Sequence, residues 1–391
     1  MKSNKLIRGC SSKNMGNKDK TCILADGTKQ SLLEAIAEAI GNCPEGVIDL
    51  TAGSLAVSQY LSAVCGMRVI ANDCRKASFY LGIAIFKSEG VVLTANDIAL
   101  LQQGDLVGGP VTKLLGTVLG KKNAKQFDRV IGNLGRLAGN GAEIKRHIAI
   151  AGMLQAISAE LIVYHLRKAN RDSGAAGNEH LKDVDLISRW KEWVLSRHPE
   201  IIKQIKPGCE IYNDDAVLLM MEKKPFASCL YSDTPYAAGN YPADLKVFED
   251  ICYICEGKMP GDPVFRRPVQ PRHRFDNRVD FIGSLTKLLM FSAHISRWVI
   301  SINTSSPVKP EEIVRIVRSL GRKCEIRRYK VSLATNRKRT TPLENYECLI
   351  ICTPDAELEK QISGIRSRLE SETSSRRPLS PSVENKQEAN E

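Results

Sequence analysis

The chain has 391 residues, of which 43% are hydrophobic and 26% are charged. This composition excludes a fibrous or wholly disordered protein and leaves enough apolar side chains for a sizeable core, predicted as two lobes. The formal net charge of +12 favours a polyanionic partner such as DNA or RNA. No apolar run approaches the roughly 20 residues that a spanning helix needs, so no transmembrane segment is expected. Cys10 has no apolar stretch ahead of it, so no signal peptide or lipoprotein anchor is expected either. We therefore expect a cytoplasmic or nucleoid-associated protein without a membrane partner.

The first predicted elements alternate between helix and strand. Apolar residues recur at helical spacing in SLLEAIAEAI (31–40), and VIDLTAG (47–53) is typical of a buried strand that runs into a turn. Next, AVSQYLSAV (56–64) predicts a helix, and MRVIAND (67–73) predicts a second strand that ends on an acid. Two strands joined by a helix imply a parallel sheet, whose ligands lie at the carboxyl ends of the strands.

The middle of the chain changes character. From about 85 to 205 the patterns are helical and rich in Lys and Arg, and strands return afterwards in PFASCLYSD, RWVISIN, CEIRRYKVSLA and YECLIICTP. The sequence therefore predicts an α/β fold whose sheet is split by an inserted helical lobe. We assign 1–90 and 206–362 to the sheet domain and 91–205 to the lobe. Residues 363–391 are polar and lack apolar periodicity, which predicts a disordered tail.

The 12 cysteines are scattered, mostly within apolar stretches, and are predicted to be reduced core residues. Cys252 and Cys255 form one CxxC pair. No second pair and no His stands at metal-ligand spacing from them, so a buried pair on a helix is favoured over a zinc site, and no metal is expected.

Small and polar residues recur at the predicted turns and strand ends. In chain order the segments are NMGNKDK (14–20), DLTAGSLAVSQYL (49–61), ANDCRKASFYL (71–81), IYNDDAVLL (211–219), YSDTPY (231–236) and WVISIN (298–303). This order resembles the adenine-specific DNA methyltransferases related to bacterial deoxyadenosine methylase, whose catalytic signature is Asp-Pro-Pro-Tyr. The resemblance covers most of residues 14–355. It implies a Rossmann-like catalytic domain that uses S-adenosylmethionine and releases S-adenosylhomocysteine, with the lobe as the target-recognition element.

The resemblance also implies a cofactor site. In that family a Gly-Ser-Lys turn and a Phe-x-Gly-x-Gly loop hold S-adenosylmethionine, because small residues let the backbone approach the ligand and helix N-terminal amides bind its carboxylate. This chain departs from the loop pattern at Thr51, in place of Phe, and at Leu55, in place of the second Gly. A plain strand-to-helix turn is the alternative for Gly53. The matching positions are Gly16, Lys18, Asp49, Ala52 and Gly53.

Two further acids complete the expected cofactor site. Asp73 resembles the acid that accepts hydrogen bonds from both ribose hydroxyls, and the alternative is an N-cap of the following helix. Asp214 and Asp215 lie where the family keeps an acid near the adenine amine of the cofactor. We prefer Asp215 slightly over Asp214.

The segment Asp233-Thr234-Pro235-Tyr236 resembles the catalytic signature with its first Pro replaced. The resemblance implies that the Asp233 carboxylate and the Thr234 carbonyl accept the two hydrogens of the target adenine amine. Pro235 would hold the turn, and Tyr236 would stack on a base flipped out of the duplex. Positioning and electrostatics would then favour in-line methyl transfer.

Basic clusters near the predicted strand ends are candidate DNA contacts, because phosphates would pass there, although each cluster could equally be a solvated surface. No segment resembles a nuclease site, so a restriction or defence partner would be a separate protein. The residues concerned are Arg272, Arg274, Arg278, Arg337, Lys338 and Arg339.

Two other functions stay open at this point. Thr234, Leu55 and Ile302, which stands where the family more often has Tyr, favour a catalytically weak or inactive nucleic-acid-binding relative. A methyltransferase that acts on RNA or on a protein amide is the other alternative, since related signatures serve such acceptors.

Overall fold

The strands of the protein form a single sheet within the residues that the structure describes. A computed structural model describes residues 29–169, 180–233, 243–266, 275, 278–304, 306–330 and 346–360. The sheet has seven strands. They are β1 (Val47–Asp49), β2 (Val69–Asn72), β3 (Glu210–Tyr212), β4 (Cys229–Ser232), β5 (Arg297–Asn303), β6 (Arg322–Lys330) and β7 (Tyr346–Pro354).

The strands lie in the order β3-β2-β1-β4-β5-β7-β6. The first five positions are parallel, and β7 is antiparallel to both of its neighbours. This mostly parallel sheet confirms the predicted α/β fold with a Rossmann-like methyltransferase sheet. It brings the carboxyl ends of β1, β2, β3, β4 and β5 to one edge, and the antiparallel direction of β7 brings the start of that strand to the same edge.

Helices surround the sheet. They are α1 (Leu33–Ile40), α2 (Ala56–Ala63), α3 (Lys76–Phe86), α4 (Ala95–Leu101), α5 (Pro110–Leu119), α6 (Lys121–Asn133), α7 (Ala142–Ala169), α8 (Leu186–Glu192), α9 (His198–Gln204), α10 (Ala216–Leu218), α11 (Ala243–Cys255), α12 (Arg278–Phe291) and α13 (Pro310–Ser319). A short 3₁₀ turn, Lys29–Leu32, precedes α1. Among the described residues, none of these helices combines the length and the apolar character needed to cross a bilayer.

Both faces of the sheet are buried, which explains why its parallel strands are continuous apolar runs in the sequence. Successive side chains of a strand point to opposite faces. Val47 and Val69 pack into one hydrophobic cluster, with α1, α2, α3 and most of the later helices. Ile48 and Ile70 pack into a second cluster, with α10, α12 and α13.

The helices α4 to α9 lie between β2 and β3 in the chain. Their apolar side chains belong to the same cluster as α3 and α11, and α7 packs along α3. Gly152 of α7 permits a close approach to α8, because a Cβ there would lie 2.9 Å from the indole ring of Trp190. The helical segment therefore rests directly on one face of the sheet domain, and the boundaries proposed for the two domains and the tail stay predictions.

Cys252 and Cys255 both lie on α11, where Cys252 is buried. Within the part of the chain that the structure describes, no three or more His, Cys, Asp or Glu side chains are grouped as metal ligands would be.

Candidate active site

The carboxyl end of β1 presents a buried acid, Asp49, whose side chain is 1% exposed. Its Oδ2 accepts a hydrogen bond of 2.6 Å from the Ser58 hydroxyl on α2. Oδ1 is also buried and makes no hydrogen bond among the described residues. Burial raises the pKa of Asp49 to about 7, and the nearby carboxylates of Asp233 and Asp73 add to the rise. A buried acid with one unpartnered oxygen is costly, which makes Asp49 a candidate for accepting a hydrogen bond from a ligand.

The turn after β1 bends the backbone tightly into α2. Gly53 has φ +55°, and Leu55 has φ +62° in the left-handed region. That conformation costs roughly 1–2 kcal/mol for a residue with a Cβ, which explains why the resembling family has Gly at this position. Leu55 is fully buried in the core, so the apolar contacts of its side chain offset the strain.

Asp73 follows β2 and binds the same turn. Its Oδ2 accepts the Gly53 N–H at 2.7 Å, and its Oδ1 accepts the backbone and side-chain N–H groups of Arg75 at 2.9 and 3.1 Å. The start of α3 is capped from another element, because the Glu249 carboxylate on α11 accepts the amides of its first two residues. Asp73 therefore orients the Gly53 turn, and the N-cap alternative for Asp73 is replaced by a cap from Glu249.

The two adjacent acids after β3 have different roles. Asp215 caps α10, since its Oδ1 accepts the amides of Val217 and Leu218 at 2.9 and 3.2 Å. Asp214 instead pairs with the exposed Lys223 through its side chain. Its backbone N–H and C=O both hydrogen-bond the side chain of Asn72, at the end of β2. The structure thus holds both acids at the edge of the sheet, and the assignment of Asp215 to the cofactor stays a prediction.

Asp233 follows β4 directly, next to β1 in the sheet. Its backbone carbonyl accepts a 2.9 Å hydrogen bond from the Thr51 hydroxyl. Its Oδ1 lies 2.9 Å from Nζ of Lys29. Burial raises the pKa of Asp233 to about 6; the ammonium of Lys29 opposes the rise, and the carboxylate of Glu347 adds to it. Thr51, which stands where the family has Phe, therefore ties the β1 turn to the predicted catalytic acid.

Lys29 and Glu347 were not anticipated from the sequence. Lys29 Nζ also lies 3.2 Å from Oε1 of Glu347, and both side chains are almost fully buried. Glu347 accepts hydrogen bonds from Ser301 at 2.7 Å and from Asn303 at 3.3 Å. A second Gly-x-Lys triplet at 27–29, just ahead of α1, is the sequence signal that could have identified Lys29.

Ser301 and Asn303 alternate on β5 with Ile302. That residue is fully buried in the hydrophobic cluster of the opposite sheet face. Ile302, which stands where the resembling family more often has Tyr, therefore contributes to the core on the side away from the Lys29 and Glu347 pair.

The remaining predicted site residues are placed as follows. Arg278 lies on the first turn of α12, where it is exposed and forms an ion pair with Glu312. The others lie outside the described residues and stay predictions: Gly16, Lys18, Thr234, Pro235, Tyr236, Arg272, Arg274, Arg337, Lys338 and Arg339. The structure therefore brings together Asp49, Ala52, Gly53, Asp73, Asp215 and Asp233 at one edge of the sheet.

Comparison with known proteins gives one informative similarity. The chain is 22% identical over 335 residues to the type II methyltransferase M2.HphI of Haemophilus parahaemolyticus, and the match covers 81% of this chain and 94% of that protein. No family model matches the chain. The similarity extends over nearly the whole length of that methyltransferase, and thus over both the sheet strands and the helical segment.

Proposed function

We propose that the protein is a site-specific DNA adenine N6-methyltransferase that uses S-adenosylmethionine. The observation that carries the proposal is the convergence of Asp49, Gly53, Asp73 and Asp233 at the carboxyl edge of a parallel sheet, in the chain order of the resembling family. Ligands of open α/β sheets bind at this edge. The similarity to a type II methyltransferase supports the same class of reaction.

The donor set fits S-adenosylmethionine, which supplies an electrophilic methyl group on its sulfonium when bound. The unpartnered Oδ1 of Asp49 is a buried acceptor for the ammonium of the methionine part. Asp73 retains acceptor capacity for ribose hydroxyls, since two carboxylate oxygens offer about four lone-pair sites. Asp215 would accept from the adenine amine, and Ala52 and Gly53 leave room for the ligand.

The N-terminal contribution to the cofactor site rests on the sequence. Gly16 and Lys18 match the Gly-Ser-Lys turn of the family and are proposed to hold the methionine part. The triplet at 27–29 has the same Gly-x-Lys form, and its lysine pairs with Asp233. Cofactor titration of Lys18→Ala and Lys29→Ala separates the two triplets, because only a substitution in the triplet that holds the cofactor will weaken cofactor binding.

On the acceptor side, the Asp233 carboxylate would accept one hydrogen of the adenine amine and the Thr234 carbonyl the other. Hydrogen bonds to both amine hydrogens would direct the nitrogen lone pair towards the methyl group, so positioning would drive the transfer. Tyr236 would stack on the flipped base, and Pro235 would hold the turn. The hydrogen bond from Thr51 to the carbonyl of Asp233 supports this geometry, because it fixes the backbone from which the signature begins.

DNA is the proposed substrate because the net charge is +12 and basic clusters flank the strand ends. We assign phosphate contacts to Arg272, Arg274, Arg278 and the cluster at 337–339, and target recognition to the helical lobe at 91–205. The catalytic domain would comprise 1–90 and 206–362. Any restriction or defence partner would be a separate protein.

The test is incubation with tritium-labelled cofactor and separate DNA, RNA and protein substrates, followed by nucleoside and amino-acid analysis. We expect label in N6-methyladenine of DNA. Asp233→Ala should abolish transfer and leave cofactor affinity within about twofold, because its role lies on the acceptor side. Asp262→Ala, which changes an acid in the loop after α11, is the control. Label in RNA or protein, or in no substrate despite cofactor or DNA binding, would replace the proposal by one of the alternatives.

A further inference from the structure

The predicted catalytic acid, Asp233, belongs to a group of three charged side chains. Lys29 Nζ lies between two carboxylates, 2.9 Å from Asp233 and 3.2 Å from Glu347. The side chains of Lys29 and Glu347 are 8% and 4% exposed. Removing charges from water costs several kcal/mol per ion, and well-packed apolar residues often serve a fold equally well. The Asp233 side chain is 22% exposed, so two buried charges meet a half-buried carboxylate at the end of β4, and this arrangement calls for a role other than stability.

The sheet topology explains how Glu347 reaches this position. β7 is antiparallel to β5, with Glu347 opposite Asn303 at the carboxyl end of β5. Two neighbours on β5, Ser301 and Asn303, donate to the two oxygens of its carboxylate. These bonds fix the rotamer of Glu347, so the carboxylate presents a rigid anchor to the lysine ammonium.

We propose that Glu347 is a positioning residue for methyl transfer: it anchors Lys29, and Lys29 holds the Asp233 carboxylate in the orientation that accepts the target amine. The inference rests on the proposed function and extends it to a residue outside the motifs matched in the sequence. Asp233 is then held from two sides, by Thr51 at its backbone carbonyl and by Lys29 at its carboxylate. Among the residues that the structure describes, the charged groups that face Asp233 are Lys29, Glu347 and Asp49, together with the phenol of Tyr231.

The first experiment is the pH profile of methyl transfer by Glu347→Gln. Glutamine keeps the volume and an oxygen for Ser301, but it removes the negative charge that attracts Lys29 and the second acceptor, which Asn303 uses. The pH midpoint is therefore the readout that a merely structural role would not move. Loss of the negative charge should move the acidic midpoint of kcat to lower pH, since Glu347 raises the pKa of Asp233. Loss of the anchor should lower kcat about tenfold while KM for DNA stays within about twofold. Glu325→Gln, an exposed change on β6, is the matched control. An unchanged midpoint and kcat in Glu347→Gln would overturn the proposal.

The second experiment needs no activity. Lys29→Met, Glu347→Gln and the double variant form a mutant cycle in urea unfolding at about neutral pH. Lys29→Met leaves two buried carboxylates facing each other, and adding Glu347→Gln should recover part of the loss. We expect the two changes to be coupled by at least about threefold in the unfolding equilibrium constant. Additive effects would overturn the anchoring role. A wild type that transfers no methyl group would overturn the proposed function, and the cycle would still decide the triad.

Discussion

Asp49→Asn should make the protein more stable in mildly alkaline solution and weaken its cofactor binding. Burial raises the pKa of Asp49 from 3.8 to about 7. Each pKa unit corresponds to about 1.4 kcal/mol, so the ionised side chain costs on the order of 4 kcal/mol in the folded state. Asparagine keeps the acceptor for Ser58, but its buried amide N–H groups then lack an acceptor, at a cost of about 1–3 kcal/mol. The net expectation for Asp49→Asn at about pH 8 is a gain of roughly 1–3 kcal/mol.

The pH dependence gives the sharper test. Because the folded-state pKa is raised, the folded protein binds the proton more tightly than the unfolded chain. The stabilisation is present at low pH and is lost as the pH rises through about 7. The wild type should therefore lose about 2–3 kcal/mol relative to Asp49→Asn between about pH 5 and pH 8. Urea unfolding of both proteins at the two pH values measures this difference, with Asp262→Asn as the control acid. An equal difference at both pH values would refute the assignment of a raised pKa.

Four other results are expected. Methyl transfer should fall as the pH drops through about 6, where Asp233 becomes protonated and ceases to accept a hydrogen bond from the amine; a rate profile without an acidic limb would contradict this. Gly53→Ala should weaken cofactor binding by about tenfold in calorimetry, because φ is +55° and the new Cβ would lie 3.3 Å from a guanidinium nitrogen. Arg322→Ala should lower the free energy of unfolding by about 2–4 kcal/mol, since the guanidinium stacks 3.5 Å from the ring centre of Trp298 and donates to three backbone carbonyls. Asp128→Ala should lower the free energy of unfolding by about 2–3 kcal/mol, because the Asp128 carboxylate accepts hydrogen bonds from three amides and one hydroxyl at the start of α5. Urea unfolding measures the losses in Arg322→Ala and Asp128→Ala. An unchanged midpoint in either variant would contradict the role stated for that residue.

The positions of the sheet strands were largely predictable. β1, β2, β4 and β5 are short apolar runs flanked by turn residues, because parallel strands are buried on both faces. The antiparallel β7 has the same pattern, since its central residues are also buried on both faces. β3 has only three residues and half-buried ends, so its pattern was too short to indicate a strand. The order of the strands and the antiparallel direction of β7 have no local signal, since they depend on how distant segments pair.

The candidate site also combines residues that the sequence predicts with contacts that it does not predict. Asp49, Gly53, Asp73 and Asp233 could be found from the sequence because each lies at the end of a predicted strand or in the turn after it, and parallel strands bring such residues to one edge. The hydrogen-bond partners of these residues could not be predicted from the sequence. Glu249 caps α3 from a helix far along the chain, which no local pattern distinguishes from an ordinary amphipathic helix residue.

By itself, the sequence determined the alternation of buried strands and helices and the polar residues at the strand ends, because both depend on local periodicity and turn chemistry. Only the tertiary structure placed Lys29 and Glu347 beside Asp233 and buried Asp49 deeply enough to raise its pKa to about 7. Desolvation and ion pairing act through space, and they depend on which distant segments the sheet brings within a few ångströms of each other.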